Sequence, residues 1–282
     1  MDVSIIINNY KTRGLLKQCL KGIFSNPPSL SFEVVVIDNN SGDGSVELVR
    51  EMFALPDGAE NKQKFSENGA TGTIEELTKN VRLIAARENL GHHKGNNLGI
   101  RHSTGKYVLI LNTDILFFDN AIEKMYRFME ENPKVALAGP KLKNPDGSIQ
   151  MSCMRFPKLL TPFYRRTFLG KFKFAQAEID QYLMHDFDHN STITVDWILG
   201  ACEIVRREAI DKVGGMDEDL FLYFGDVAWC KNFWLNGYAV YYFNDCNIIH
   251  YHKRESAEGG IFSRTFRIHA KDWLKYLKKY YR

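Results

Sequence analysis

The chain has 282 residues and a formal charge of only +3 at neutral pH. That length suits one large α/β domain or two small ones, with ample core. The near balance of charge excludes a molecule that binds polyanions with its whole surface, and no apolar stretch reaches the roughly 18 to 20 residues of a membrane-spanning helix. Five cysteines, Cys19, Cys153, Cys202, Cys230 and Cys246, form no close pair. Their odd number and irregular spacing point to free thiols in a reducing compartment. Met1-Asp2 runs straight into a strand pattern without a signal peptide, so a cytoplasmic location is expected.

In chain order, residues 3–8 (VSIIIN) read as a buried strand. Leu15, Leu16, Cys19, Leu20, Ile23 and Phe24 then fall on one face of a helix, which Asn26-Pro27-Pro28 stops. Residues 32–37 form a second strand that ends in the polar loop DNNSGDGS and a helix over 46–53. In open α/β sheets ligands bind at such strand ends. Residues 55–80 show no period and read as a mobile, non-catalytic surface insertion with a short helix at 74–77. A third strand, 81–85, leads into ENLGHHKGNNLGI, where glycines let backbone approach a ligand closely. His92 and His93 are adjacent, so their side chains diverge and do not suit one shared ion. Lys94 is the better phosphate candidate, as a mobile point charge.

The central strand is YVLIL, 107–111, ending in Asn112-Thr113-Asp114 before a second apolar run. A carboxylate between two apolar runs needs a partner. Either Asp114 caps the next turn, or it holds a divalent cation such as Mg2+ or Mn2+ together with substrate phosphates. A helix over 121–129, a strand over 135–139 and an Asn-Pro-Asp-Gly turn follow. Four alternations of strand and helix predict a mostly parallel sheet flanked by helices.

The pattern then breaks. Residues 154–173 are basic and aromatic, which suits a nucleic-acid surface, an acidic lipid surface or an acceptor-binding flap. No nucleic-acid motif accompanies them, and no nucleic-acid partner is expected. Later come DWILGAC leading into residues 203–206, a helix over 207–213 closed by Gly214-Gly215, and Gly225-Asp226 opening a helix that Gly237 ends. Strands over 238–243 and 247–250 precede a helical tail, 262–282. Phe262, Phe266, Trp273, Leu277 and Tyr280 fall on one face of that tail, among many Lys and Arg. This face suits either a lipid headgroup layer or packing on the domain.

The stretches VSIIINNY, VVVIDNNSGDGS, ENLGHHKGNNLGI, YVLILNTD, DWILGA, EIVRREAIDKVGGMDEDLFLYFGD and IIHYH, in this order, resemble the glycosyltransferase family 2 enzymes of GT-A fold. Within that family the chain is most similar to rhamnosyltransferase-like members of bacterial surface-polysaccharide assembly. The resemblance covers nearly all of residues 3–252 apart from the insertion. It implies inverting transfer of a sugar from a UDP- or dTDP-linked donor to a glycan or lipid-linked acceptor, with Mg2+ or Mn2+. It places Asn9, Tyr10, Asp38, Asn40, Ser41, Asn89, Gly91, Gly95, Asn97, Asn112 and Thr113 at the nucleotide-sugar. Asp114 and His250 would hold the metal, Trp197, Gly200 and Ala201 would floor the acceptor site, and Asp226 would be the base. Residues 1–140 then form the nucleotide-sugar half, 141–261 the acceptor half, and 262–282 a basic aromatic helix, with peripheral membrane contact through that helix.

Two departures stand out: Gly225 replaces the family's usual Glu, and Ala228 an acidic residue. Asp226 is then the one carboxylate left of an expected cluster, with Asp217, Glu218 and Asp219 as substitutes. Asp226 would also serve as a helix cap. The competing reading is a nucleotide-sugar-binding protein of the same fold with weak or no turnover. A nucleotidyltransferase fits less well, because no Lys/Arg-rich glycine loop opens the chain.

Overall fold

In the computed structural model, residues 1–53, 62–251 and 263–281 are described. His252, Phe262 and Arg282, the start of the expected insertion and the expected 261/262 boundary lie outside them. The elements run β1 Val3–Asn9, α1 Arg13–Ser25, β2 Phe32–Asp38, α2 Ser45–Phe53, β3 Lys62–Glu67, β4 Ala70–Thr78, β5 Val81–Ala86, α3 His92–Arg101, β6 Tyr107–Leu111 and β7 Ile115–Leu116. Then follow α4 Ala121–Glu131, β8 Val135–Lys143, β9 Cys153–Met154, the single turn α5 Thr161–Tyr164, α6 Lys173–Leu183, β10 Ile193–Thr194, β11 Trp197–Ile198 and β12 Cys202–Arg206. The chain closes with α7 Arg207–Val213, α8 Gly225–Leu235, β13 Ala239–His250 and α9 Arg264–Tyr280.

One large sheet has the order β10-β13-β8-β12-β6-β1-β2-β5-β4-β3, with β7 pairing β13. The strands of the first half pair in parallel, β5 to β2 to β1 to β6, as their alternation with helices requires. Beyond β6 the sheet is mixed. β12 inserts antiparallel between β6 and β8, and β13 runs parallel to β8. The expected parallel sheet thus holds for the first half and gives way to a mixed one in the second.

The unbroken apolar runs follow from cover on both faces. Ile5 and Ile7 point into a core with Leu16 and Leu20 of α1 and Met125 and Met129 of α4. Ile6, Val108 and Ile110 point into the other, with Leu98 of α3, Trp229 and Phe233 of α8 and Tyr276 of α9.

Three expectations are corrected. Residues 74–77 are strand, not helix: β4 pairs antiparallel with β3 and β5, so the described part of the insertion extends the sheet as a hairpin. The polar residues of β3, mostly exposed, hid this, since an edge strand needs no apolar alternation. The two strands expected over 238–250 are one, β13, interrupted by an irregularity between Phe243 and Asn247. In α9 the fully buried residues are Asp272 and Tyr276, which the face read from the sequence left out, while Trp273 and Tyr280 of that face pack partly buried on the core. Trp273, Tyr276 and Tyr280 stack in series, with centroids 5.4 and 5.5 Å apart, and Trp273 and Tyr276 lie against Phe224. Packing therefore takes most of the aromatic face of this helix.

Candidate active site

The C-terminal ends of β1 and β2 carry a fully wired polar cluster. Asn9 donates through Nδ2 to Asp38 Oδ1 (2.9 Å) and to Ser41 Oγ (3.0 Å). The Ser41 amide donates to Asp38 Oδ2 (3.0 Å), and the Lys11 amide to Ser41 Oγ (3.0 Å). Each Asp38 oxygen keeps a lone pair for a ligand. Asn40, beside them, is exposed in a left-handed conformation at φ 58°. Tyr10 is exposed at the rim, where a hydrogen bond from Asn89 holds its hydroxyl below the usual phenol range.

The loop after β5 closes on this cluster. Asn39 holds it at both ends, accepting from the Leu90 amide (2.7 Å) and donating to the Gly91 carbonyl (2.9 Å). Asn8 donates to the His92 carbonyl at 3.0 Å. Glycine is required twice here. Gly91 sits at φ +83° with Phe221 O 2.5 Å from where a Cβ would lie, and a Cβ on Gly95 would strike the Asn8 amide at 2.5 Å.

The end of β6 joins the same edge. Thr12 bonds both Asn9 Oδ1 (2.7 Å) and Thr113 Oγ1 (2.9 Å). The Asn112 amide donates to Ala201 O at 2.9 Å. Pairing of β7 with the end of β13 brings Asp114 Oδ1 to 3.3 Å from His250 Nε2. His250 is buried, and its Nδ1 meets Gln150 Oε1 at 2.6 Å, an orienting partner of the kind that metal-bound histidines use. No cluster of three His, Cys, Asp or Glu suited to a metal occurs among the described residues. One carboxylate and one imidazole still fit a divalent ion whose remaining ligands are diphosphate oxygens and water.

Across Gly200 lies a second group. Asp226, in the first turn of α8, accepts from the Val227 amide (2.8 Å) and the Gly200 amide (3.3 Å). It thus satisfies a free N–H of the helix start while keeping its carboxylate at the edge of the site. Burial raises its pKa, with the neighbouring His93 pulling the other way. The preceding residue, Phe224, is left-handed at φ 64°, a costly conformation for a bulky side chain. The rings of His269, Trp273 and Tyr276 in α9 hold it there.

Two residues of this group escaped the sequence reading. The His93 ring fills the space beside Gly225: a Cβ there would lie 2.1 Å from its Nε2. A carbonyl can only accept, so His93 Nδ1 donates to Leu220 O (2.6 Å) and Nε2 faces the site. Burial pushes the pKa of this imidazole down. Glu203, on β12, is fully buried, and neither of its oxygens has a hydrogen-bond partner among the described residues. Burial, reinforced by Asp226, raises its pKa well above the ordinary glutamate value. A Cβ on Gly200 would be 3.7 Å from Asp226 Oδ2 and 3.8 Å from Glu203 Oε2, so both carboxyls face one point. A second carboxyl thus comes from β12 where α8 carries Gly225 and Ala228.

Trp197 is buried, donates to Arg155 O (2.8 Å), and with Leu199 lines a cavity of about 540 Å³. Gln150, Met151, Tyr164 and Arg165 also line it, so it lies next to His250 through Gln150.

Other expected residues point elsewhere. The Asn97 amide is spent on the backbone of Met216, donating at 2.8 Å and accepting at 2.9 Å, and on Glu218. Asp217 binds Lys279 (2.9 Å) and Tyr280 (2.8 Å) of α9. Burial raises its carboxyl, but these partners outweigh burial and hold it below the usual range. It ties α9 down and is no spare base. The rings of His92 and His93 meet edge to face, 5.4 Å apart. Lys94 reaches over the β3–β4 turn, 3.5 Å from the Cβ position of Gly69.

The fold and the edge it carries define a GT-A glycosyltransferase architecture. The family model of Glycosyl transferase family 2 matches residues 4–213, and the chain belongs to that family. It is 27% identical over 207 residues to an N-acetylglucosaminyl-diphospho-decaprenol L-rhamnosyltransferase of Mycobacterium tuberculosis, covering 68% of this chain and 66% of the relative. It is 26% identical over 199 residues to rhamnosyltransferase WbbL of Escherichia coli, covering 67% and 70%. Among solved structures, S. aureus TarS in complex with UDP-GlcNAc superposes with a TM-score of 0.59 at 14% identity over 96% of this chain and 66% of that one. The mannosyltransferase PcManGT of Pyrobaculum calidifontis, in complex with GDP-Man and Mn2+, gives 0.56 at 19% identity over 90% and 58%. At these identities the structures speak for the fold alone. The chain spans slightly less than two thirds of the mycobacterial relative's length.

Proposed function

We propose that this chain is an inverting glycosyltransferase that moves a sugar, rhamnose being the first candidate, from a UDP- or dTDP-linked donor to a hydroxyl of a glycan or lipid-linked acceptor. The observation that carries the reading is one unbroken line of contacts. It runs from Asp38 through Asn9, Thr12 and Thr113 to the loop of Asp114, and through Asn112, Ala201 and Gly200 to Asp226. A nucleoside at one end and an acceptor hydroxyl at the other would meet along it. Both rhamnosyltransferase relatives support the sugar, and the mycobacterial one supports the lipid-linked acceptor.

In this reading Asp38 and Ser41 receive the base or ribose, Tyr10, Asn40 and Asn89 form the rim, and Gly91 and Gly95 let the loop close over the nucleotide. Asn97 serves as an anchor for the Met216 loop rather than as a ligand. Asp114 and His250 would hold Mg2+ or Mn2+, which when bound offsets the charge of the departing diphosphate. Asp226 removes the acceptor proton, a role typically worth on the order of 10²–10⁴-fold. Its raised pKa favours that transfer, and the Gly200 and Val227 amides fix its direction. Trp197, Gly200, Ala201 and the adjoining cavity receive the acceptor, so residues 1–140 serve the donor and 141–261 the acceptor.

The vacated acidic position at Gly225 favours one second reading, a binder of nucleotide-sugars with little turnover. Thermal-shift screening against UDP, dTDP and GDP and their sugars, with and without Mn2+, identifies the donor. Release of nucleoside diphosphate from that donor then separates the readings. Stabilisation with release is expected. Stabilisation without release under any acceptor supports the binder, and no stabilisation by any nucleotide overturns both.

A further inference from the structure

Exposed apolar side chains gather on one excursion of this molecule. Leu159, Leu160, Phe163, Phe168, Phe172 and Phe174 are all exposed, from 47% at Leu160 to 71% at Phe168. They lie on the segment that builds α5, a 3-10 turn at Phe168–Lys171 and the start of α6. Phe172 and Phe174 stack at 5.9 Å, and Tyr164 meets Phe174 edge-on at 5.8 Å, so the display is ordered. Patches of this kind on a soluble surface mark a partner.

The charge on the segment says which partner. Lys158, Arg165, Lys171 and Lys173 are exposed, and no Asp or Glu occurs anywhere in residues 147–177. A protein surface offers both signs of charge. The nearest carboxylate, Glu178 of α6, is engaged by the Thr161 hydroxyl, and phenylalanines among lysines in a stretch without acids suit the headgroup layer of an anionic bilayer. Continuity with the site supports this: Tyr164, Arg165, Thr167 and Gly170 of the same segment wall the 540 Å³ cavity. The Leu159 amide donates to the Tyr281 hydroxyl (3.0 Å), which ties the patch to the end of α9.

We propose that residues 158–174, rather than the aromatic face of α9, form a docking surface for anionic lipid bilayers, with the cavity opening toward the headgroups. Its purpose rests on the reading of a lipid-linked acceptor, but its existence does not.

Co-sedimentation with vesicles, without any sugar donor, tests it. One set of vesicles is phosphatidylcholine alone and the other contains phosphatidylglycerol, each at low and high salt. The full chain is expected to pellet with the anionic vesicles and to be released by salt. The triple variant Phe168→Ser/Phe172→Ser/Phe174→Ser is expected to lose at least tenfold in partitioning with an unchanged melting temperature. Leu235→Ser, which alters a side chain 72% exposed elsewhere, should bind as wild type. Lys171→Glu/Lys173→Glu should lose the salt-sensitive part. Equal pelleting of wild type and triple variant, or none by wild type, overturns the proposal. A concentration-dependent dimer that the triple variant abolishes, without vesicle binding, assigns the patch to a second copy of the chain and also overturns it. Donor binding of the triple variant is measured alongside. Its retention separates failed docking from failure of the transferase reading.

Discussion

The edge at Asp38, proposed to take the donor, and the pocket beside Asp226, proposed to take the acceptor, solve opposite problems. At the donor edge Asp38 is buried with both oxygens occupied, so it is oriented before any ligand arrives. Beside Gly200, Glu203 is buried without a hydrogen-bond partner among the described residues, and the donors to Asp226 among them are backbone amides at 2.8 and 3.3 Å. A satisfied network rigidifies, whereas a poorly satisfied buried carboxyl changes its pKa instead. The first arrangement suits recognition of a constant nucleotide. The second suits proton transfer, and it leaves the pocket free to change its residues.

That contrast can be broken or sharpened by substitution. The largest effect is expected from Asp114→Ala. Partners of metal ligands typically contribute about 10–100-fold in metal affinity, so loss of a ligand should cost roughly 100-fold or more in Mn2+-dependent nucleotide binding. Calorimetry with and without Mn2+ reads it. Unchanged metal-dependent affinity would remove Asp114 from the site.

Gly225→Ala comes next. Its Cβ would lie 2.1 Å from His93 Nε2, and overpacking of this kind typically costs about 1–3 kcal/mol. His93→Ala should relieve it, so the double variant should be more stable than the sum of the singles predicts. Additive losses in denaturant unfolding would mean that His93 does not fill the vacated position.

The smallest effect, Glu203→Gln, appears as a slope. The folded chain keeps the Glu203 proton above pH 4.5 while the unfolded chain releases it. The folded state then binds more protons, so this group lowers stability as pH rises from 4.5 toward its folded pKa, by at most about 1.4 kcal/mol per pH unit. The Gln variant should lack that contribution and gain on wild type as pH rises. Parallel stability curves would place Glu203 in a polar or solvated environment.

The same contrast explains what was legible in the sequence. Asp38, Ser41 and Asp114 end apolar strands in short polar loops, and such local patterns are visible in one dimension. The parallel half of the sheet was readable for that reason. Asp226 of α8 was named through the family resemblance, but its neighbours His93 and Glu203 come from α3 and β12, and only the antiparallel insertion of β12 beside β6 brings Glu203 under Gly200. Glu203 reads as one polar residue of a strand, and no spacing marks it. The face of α9 was only partly placed, with Trp273 and Tyr280 on it but not Tyr276, because Asp272 is its buried centre. Its carboxylate accepts from the Phe221, Leu222 and Tyr223 amides, a partner set that the sequence does not show.

The central claim is that donor recognition and proton removal reside in separate regions joined at Gly200. Asp226→Asn tests it most directly, with donor affinity and single-turnover release of nucleoside diphosphate measured on the same preparation. Donor affinity within about twofold of wild type, with release slowed by on the order of 10²-fold or more, is the predicted result. Release within a few-fold of wild type, or a parallel loss of donor binding, would contradict the account.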